Sequence, residues 1–225
     1  MIRLVLFDID GTLIASGGAG EKAFGKVCHD EFGVRDGAAR LHFAGRTDPS
    51  IVRDFFEQHG IEPSADNFRR FFDRYVFQLD HLLGQLHGRV LPGVPEWIRD
   101  LQALRHPPVV GLLTGNILLG AQIKLRHYRL WGLFAMGAFG DDHEDRNQLA
   151  RVAHTRGSRR LGATLRGEEI LVIGDTPRDI ECARAIGAQA LAVGTGGYTA
   201  QQLRQEAPAW AVETLEAISV QDVCG

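Results

Sequence analysis

Four short apolar segments, each followed by a polar or glycine-containing turn, recur along the 225-residue chain. They occupy residues 4–7, 109–113, 170–173 and 190–193. Because each segment is apolar on both faces, each is predicted to be a central strand of a parallel sheet rather than a half-exposed strand. Residues 136–139 predict a fifth strand.

Helical stretches lie between these predicted strands, at residues 94–104, 118–128, 147–155 and 177–186. Alternating strands and helices predict a doubly wound α/β fold, in which helices cover both faces of a parallel sheet and the crossovers are right-handed. A chain of this length can form one domain, or one domain that carries an insertion.

Residues 17–89 interrupt this alternation. Apolar and aromatic side chains recur there at helical spacing, which predicts helices that pack on one another. The glycine-containing flanks at residues 16–20 and 88–89 are flexible enough to act as hinges. The expected organisation is an α/β core of residues 1–16 and 90–225 with an all-helical cap of residues 17–89.

Composition and charge narrow the classes of function. The chain has 25 Lys and Arg residues against 28 Asp and Glu residues, so no basic footprint for nucleic acid is expected. Its three cysteines, Cys28, Cys182 and Cys224, are far apart and fit no zinc or redox spacing, which favours a reduced chain. No targeting segment or membrane span is recognised. We therefore expect a cytoplasmic protein that is a monomer or homodimer.

Acidic and hydroxyl side chains follow three of the predicted strands. Asp8 and Asp10 follow the first segment and Thr114 follows the second. Asp175 follows the third, with Asp179 one helical turn further on. Ligands of open α/β sheets bind beyond the carboxyl ends of the strands, so these side chains are expected to meet at one rim. Crowded carboxylates repel one another unless a cation joins them, and their oxygens suit Mg²⁺.

The same rim carries the groups that phosphoryl transfer needs. An aspartate can attack phosphorus to form an aspartyl-phosphate. A second acid two residues further on, as Asp10 is from Asp8, can protonate the leaving oxygen and later deprotonate water. Thr114 and the backbone N–H groups near Gly115 and Asn116 are expected to hold phosphate oxygens. The pattern therefore predicts a magnesium-dependent phosphatase.

These motifs resemble those of the haloacid dehalogenase superfamily, in particular its phosphoglycolate phosphatase-like branch with a helical cap. The motifs are Asp8-Ile9-Asp10-Gly11-Thr12-Leu13, Leu113-Thr114-Gly115-Asn116 and Gly174-Asp175-Thr176-Pro177-Arg178-Asp179. The resemblance implies that Asp8 is the nucleophile and Asp10 the general acid and base. It also implies that Mg²⁺ is held by Asp8, the Asp10 backbone carbonyl and Asp175. Asp179 would lie in or just behind this coordination shell. Dehalogenases and phosphonatases of the superfamily generally lack the second acid, so Asp10 favours phosphate chemistry.

One motif departs from the family pattern. The family normally supplies a lysine before the last motif, to neutralise the nucleophile and the phosphate, but residues 140–149 contain none. Arg146 is the predicted substitute in catalysis and phosphate binding, because a guanidinium carries the same charge and can bind phosphate through two N–H groups. Alternatively, Arg146 pairs with Asp142 or Glu144 at the surface. Lys124 is the competing cation, although its place within a helix favours an exposed or helix-packing role.

The predicted cap contains a loop that resembles the substrate-facing cap loop of relatives. It comprises residues 44–48, and Arg46 and Thr47 are its candidate substrate contacts. Asp48 and Pro49 are typical of a helix N-cap and a first-turn proline.

The resemblance implies hydrolysis of a small phosphorylated metabolite, of the phosphoglycolate or sugar phosphate type. Three alternatives remain open at this point. A phosphomutase of the β-phosphoglucomutase type shares the core motifs and the cap. A receiver-like signalling module also gathers aspartates, Mg²⁺ and a threonine around a phosphorylatable aspartate. A catalytically silent relative that only binds phosphate would account for the missing lysine.

Overall fold

The computed structural model describes all 225 residues, and a sheet of six strands lies at its centre. The strands, numbered along the chain, are β1 (Leu4–Phe7), β2 (Ile14–Ala15), β3 (Arg89–Val90), β4 (Val109–Leu113), β5 (Met136–Ala138), β6 (Ile170–Gly174), β7 (Gln189–Val193) and β8 (Trp210–Val212). The large sheet has the order β5-β4-β1-β6-β7-β8, and every neighbouring pair in it is parallel. All the predicted strands are present, and β2, β3 and β8 were not predicted.

Strand β1 lies in the middle of this sheet, which explains why its sequence is apolar on both faces. Phe7, its last residue, is in register with Leu112 of β4 and Ile173 of β6. The carboxyl ends of β1, β4 and β6 therefore lie side by side. The strand order changes direction next to β1, which is where open α/β sheets form a ligand crevice.

Helices cover both faces of the sheet. The α-helices of the whole chain are α1 (Ala19–Phe32), α2 (Asp48–Gln58), α3 (Ala65–Leu83), α4 (Val94–Gln102), α5 (Leu118–His127), α6 (Arg146–Leu161), α7 (Pro177–Ala185), α8 (Ala200–Arg204) and α9 (Val220–Cys224). Val5 and Phe7 pack with α4, α5 and α9 on one face, whereas Leu4 and Leu6 pack with α6, α7 and α8 on the other. This arrangement is the doubly wound α/β fold that the sequence predicts. None of the helices is both long and apolar enough to cross a membrane.

Helices α1, α2 and α3 form the cap and have an apolar cluster of their own. Phe24, Phe55 and Phe71 are fully buried in that cluster. Strands β2 and β3 pair antiparallel, so the chain leaves the core and returns to it through a two-stranded ribbon. Ile117, immediately before α5, belongs to the cap's cluster, which seats the cap on this part of the core.

The start of α2 corrects one prediction. Thr47, not Asp48, is the N-cap, because its hydroxyl oxygen accepts the backbone N–H of Ser50 at 3.3 Å. Asp48 is instead the first helical residue and is followed by Pro49. Its carboxylate does not cap the helix, because it accepts the backbone N–H of Ile117 in the core.

Candidate active site

Asp8, directly after β1, lies at the centre of the site. Its side chain is only 8% exposed, and its backbone N–H donates to the carbonyl of Ile173 at 2.9 Å, which continues the ladder with β6. Asp8, Asp175 and Asp179 each offer a carboxylate oxygen within 4.8 Å of the others. The structure thus brings together the carboxylates of three predicted metal ligands, while the Asp10 side chain lies outside this group.

Arg146 is the cation that faces Asp8. It is the first residue of α6, and its buried Nη2 lies 3.1 Å from Asp8 Oδ1 and also binds Asp179. Burial disfavours its charged form, but Asp179 and Asp8 more than offset this and raise the pKa of Arg146 above its ordinary value. The alternative of a surface pair with Asp142 or Glu144 is wrong, because each of those carboxylates binds a different arginine.

The cluster holds more negative charge than one guanidinium neutralises. Burial raises the pKa of Asp8 to about 6; Arg146 opposes the rise, while Asp179 and Asp10 add to it. Burial, followed by repulsion from Asp179 and Asp8, raises the pKa of Asp175 to about 8. Buried, closely spaced carboxylate oxygens of this kind are the ligands that a hard divalent cation prefers. The residues present therefore fit Mg²⁺.

Asp175, at the end of β6, is enclosed by two glycines. A Cβ at Gly11 would lie 2.3 Å from its Oδ2, and a Cβ at Gly196 would lie 1.7 Å away, so only glycine permits this approach. Thr12 donates its hydroxyl to Asp175 Oδ1 at 3.1 Å. Thr195 donates to the backbone carbonyl of Gly11 at 2.6 Å and ties the two glycine turns together.

Asp179 uses both of its carboxylate oxygens within the protein. Oδ2 accepts the backbone N–H of Thr176 at 3.0 Å and its hydroxyl at 2.7 Å, and this forms a capping box at the start of α7. Oδ1 binds Arg146. Asp179 therefore anchors the guanidinium that reaches Asp8.

Asp10 is the more exposed carboxylate of the first motif, with 40% of its side chain accessible. Lys124 Nζ lies 2.6 Å from Asp10 Oδ2 and 2.6 Å from Asn116 Oδ1. The expectation that Lys124 is exposed or packs between helices is wrong, because its side chain is 4% exposed and its ammonium contacts the site. The physical reason is that helical side chains point back towards the N-terminus of their helix, so the long Lys124 side chain reaches Asn116 in the loop that precedes α5.

The loop after β4 is held from within and from the cap. The buried Thr114 hydroxyl accepts the side-chain N–H of Asn116 at 2.9 Å. From the cap, the backbone N–H of Asp48 donates to Gly115 O at 2.7 Å, and Asp48 Oδ2 accepts the N–H of Ile117 at 2.9 Å. A Cβ at Gly115 would lie 2.0 Å from a backbone oxygen of the cap loop, so this glycine permits the contact.

A cavity of about 490 Å³ lies between the cap and these strand ends. Its core wall includes Asp8, Asp10, Thr114, Lys124 and Arg146, and its cap wall includes Phe24, Arg46, Ile51 and Tyr75. The volume is typical of a small-molecule site. A larger groove of about 1110 Å³ adjoins it and shares residues 43–46 and Arg146 with it.

The two cap residues predicted to touch substrate make contacts within the protein. Arg46 lines the cavity, but its guanidinium binds Asp54 and donates to the carbonyl of Ser50 at 3.0 Å. Thr47 does not line this cavity. Its hydroxyl donates to the carbonyl of Glu144 at 2.8 Å, so it links the cap to the core.

Two contributors, Thr12 and Asp48, were missed by sequence reasoning, and a third, Lys124, was named as the competing cation but assigned an exposed or helix-packing role. Lys124 carried a usable signal, because it lies on the same face of α5 as the buried Ala121. A lysine on the apolar face of a helix needs a buried partner. Thr12 stood inside the first motif, whereas the contact of Asp48 with the core depends on how the cap sits and had no sequence signal.

The doubly wound sheet with carboxylates at its strand ends has counterparts among known proteins, and comparison with them gives the family. The family model described as haloacid dehalogenase-like hydrolase matches residues 5–193, a range that includes every aspartate of the site. The chain belongs to the haloacid dehalogenase-like hydrolase family. The predicted superfamily is thereby confirmed, and the match argues against a receiver-like module.

Similar proteins span nearly the whole chain. A phosphoglycolate phosphatase of Synechococcus elongatus is 27% identical over 221 residues, which cover 95% of this chain and 93% of that protein. A probable phosphatase, IndB, of Dickeya dadantii is 25% identical over 97% of this chain and 92% of its own length.

Solved structures share the fold. A hydrolase from Pseudomonas syringae has a TM-score of 0.75 at 21% identity and covers 100% of both chains. CbbY from Rhodobacter sphaeroides, in complex with phosphate, has a TM-score of 0.74 at 18% identity and covers 99% of both chains. The predicted fold class is confirmed.

Proposed function

We propose that the protein is a phosphatase that uses Mg²⁺ and hydrolyses a small phosphorylated metabolite through an aspartyl-phosphate on Asp8. One observation carries this proposal: a buried Asp8 lies beside a partly exposed Asp10, and each is held by its own cation. Arg146 holds Asp8, and Lys124 holds Asp10. A nucleophile and a separate acid on one loop are what hydrolysis of a phosphate ester in two steps requires.

In the first step Asp8 supplies the attacking oxygen. As the bond from this oxygen to phosphorus forms, the bond from phosphorus to the leaving oxygen breaks, and Asp10 gives the leaving oxygen a proton. In the second step Asp10 takes a proton from water, whose oxygen bonds to phosphorus as the bond to Asp8 breaks. Inorganic phosphate leaves and both carboxyls return to their starting states.

Asp8, Asp175 and the backbone carbonyl of Asp10 are proposed to hold Mg²⁺, with Asp179 just behind them. When bound, the cation neutralises the carboxylates and the phosphate oxygens. The raised pKa values of Asp8 and Asp175 support this assignment, because ionised carboxylates in this cluster need additional positive charge.

The phosphate oxygens are proposed to be held by Arg146, the Thr114 hydroxyl, and the N–H groups of Gly115 and Asn116. The hydroxyl of Thr114 accepts its hydrogen bonds from Asn116, so its own hydrogen is left to donate. Arg146 meets Asp8 with a guanidinium that can also bind a phosphate oxygen.

The substrate is proposed to be small, with phosphoglycolate as the first candidate because the Synechococcus elongatus relative is named a phosphoglycolate phosphatase. The 490 Å³ cavity supports a small leaving group. Residues 17–89 are proposed to open and close over it at the ribbon of β2 and β3. Arg46 and Thr47 stay candidates for substrate contact, and Arg46 would exchange Asp54 for the substrate's anionic group.

Two other functions are compatible with parts of this site. A phosphomutase would have the same arrangement of site residues, and a catalytically silent relative would keep the same charged residues. The two buried cations, Arg146 and Lys124, argue against silence, because each faces a carboxylate of the first motif.

The proposal is tested by a screen of phosphorylated metabolites and an aryl phosphate with Mg²⁺. We expect the full-length protein to release inorganic phosphate and Asp8→Asn to lose at least roughly 10³-fold in kcat, because the nucleophile is removed. Asp73→Asn, an exposed carboxylate on α3, is the matched control and should keep full activity. Isomer formation without phosphate release would instead identify a mutase. If the protein turned over none of these substrates, the proposed phosphatase activity would be refuted.

A further inference from the structure

Lys124 is a buried lysine whose ammonium has two partners, and neither is the nucleophile. Its Nζ donates to Asp10 Oδ2 and to Asn116 Oδ1, each at 2.6 Å. A buried ammonium is stable only when its donors are satisfied by charged or strongly polar acceptors. The lysine is thus committed to the acid of the first motif and to the loop after β4.

Both donors that reach Asp10 bind the same oxygen. Asn116 Nδ2 donates to Asp10 Oδ2 at 2.9 Å, and Lys124 donates to it from another direction. Asp10 Oδ1 has no hydrogen bond within the protein, and Asp10 lines the cavity. One oxygen is therefore fixed and the other is presented to the cavity.

Asn116 is held in turn by the loop it belongs to. Its side-chain amide donates to Thr114 Oγ1 at 2.9 Å and its carbonyl oxygen accepts from Lys124. Lys124 therefore connects the orientation of Asp10 to the loop proposed to hold phosphate. A group held from two sides loses little freedom when the reaction begins, which is how an acid is kept within reach of its target.

We infer that Lys124 is a positioning residue that aims Asp10 Oδ1 at the leaving oxygen, whereas Arg146 alone serves the nucleophile. This inference rests on the proposed phosphatase function and deepens it. In the step concerned, the bond from Asp8 to phosphorus forms, the bond from phosphorus to the leaving oxygen breaks, and the proton on Asp10 passes to that oxygen. Lys124 donates no proton and forms no bond to phosphorus.

The dependence of rate on the leaving group tests this role. A 4-nitrophenolate departs without a proton, but an alkoxide needs one, so misplacing the acid slows only the alkyl substrate strongly. We expect Lys124→Met to lower kcat/KM for an alkyl phosphate by at least about tenfold more than kcat/KM for 4-nitrophenyl phosphate. Arg126→Met, an exposed cation of the same helix, is the matched control and should change neither rate.

A double-mutant cycle distinguishes an effect that acts through Asp10 from a general loss of structure. If Lys124 acts through Asp10, then adding Lys124→Met to Asp10→Asn changes kcat/KM for the alkyl phosphate, the substrate that Lys124→Met alone slows strongly, by less than about twofold. Lys124→Arg, which keeps the charge with a different reach, should show the same selective loss to a smaller degree. This variant serves in place of Lys124→Met should the latter fail to fold.

The outcomes separate this inference from the proposed function. Equal losses with both substrates, or additive losses in the cycle, would show that Lys124 binds phosphate or only supports the fold, and would overturn the positioning role alone. A wild-type protein without activity on either substrate would overturn both. A selective loss with a non-additive cycle is the expected result.

Discussion

The two sides of the active site differ in how much the cap contributes to them. The metal side consists of Asp8, Asp175, Asp179 and Arg146, which are all buried and all supplied by the core. The cap side consists of Asp10, Asn116, Lys124 and Asp48, and it combines a partly exposed carboxylate with a residue from the cap helix α2. The carboxylates proposed to bind metal, together with Arg146, are therefore fixed by the core alone, whereas the loop after β4, which contacts Asp10 through Asn116, is also held by the cap.

This difference separates two kinds of mutational effect. Changes on the metal side should slow the reaction of every substrate, because they alter the charge around Asp8, the proposed nucleophile. Changes on the cap side should depend on the substrate or on pH, because they alter how one acid and one loop are held.

The largest effect is expected at Arg146. Arg146→Ala leaves Asp8 and Asp179 without their cation, so kcat/KM for an aryl phosphate should fall by roughly 10²–10³-fold. Arg146→Lys should recover only part of the loss, because an ammonium cannot reproduce a planar group that bridges two carboxylates. Steady-state kinetics with Mg²⁺ measures both.

Arg159→Ala, an exposed position on the same helix, is the control for the arginine variants and should behave as wild type. If Arg146→Ala kept nearly full activity, the metal side would not control the reaction rate as expected. Lys124 would then be the residue that binds phosphate.

The residues of the metal side were easier to predict from the sequence than those of the cap side, for a physical reason. Buried strands leave a strong apolar pattern, and parallel neighbours place their carboxyl ends together, so Asp8 and Asp175 could be brought together without a structure. The position of Lys124 depends on the direction in which α5 crosses the sheet. The contact of Asp48 depends on the docking of one unit on another. The contact of Asp48 leaves no periodic signal, and the only signal of Lys124 is its place on the buried face of α5.

An effect of intermediate size is expected for the thermal stability of the protein when Mg²⁺ and pH are varied together. The folded-state pKa values of Asp8 and Asp175 are raised, to about 6 and about 8, so the metal-free protein gains stability from holding these protons and loses it as pH rises through those values. Mg²⁺ needs the ionised carboxylates and competes with protons. The rise in Tm caused by Mg²⁺ should therefore be larger at about pH 8.5 than at about pH 5.5.

Thermal unfolding with and without Mg²⁺ at both pH values checks this expectation. Asp175→Asn should reduce the Mg²⁺-dependent rise, while Asp73→Asn should not. A Tm that responds equally to Mg²⁺ at both pH values would contradict the metal assignment.

The smallest effect is expected at Asp48. Burial raises the pKa of Asp48 to about 7, even though nearby Lys124 lowers it, so the folded protein loses stability as pH rises through about 7. Asn keeps an oxygen that can accept the N–H of Ile117 but carries no charge. Asp48→Asn should therefore lose less Tm than wild type between about pH 6 and pH 8, by a few degrees.

The Tm values of wild type and Asp48→Asn should be compared in the presence of Mg²⁺, so that the proposed metal site is already occupied. A variant that is less stable than wild type by the same amount at both pH values would show that the carboxylate charge of Asp48 stabilises the contact between cap and core, contrary to expectation.

Asp8 is proposed to become phosphorylated during turnover. The most direct measurement is to quench the enzyme during turnover of a phosphate ester, reduce any acyl phosphate with borohydride, and examine the peptides by mass spectrometry. We predict that the peptide from the first motif carries homoserine at position 8 and that Asp8→Asn gives no such product. Sustained release of phosphate with position 8 unmodified under the same conditions would show that Asp8 is not the nucleophile.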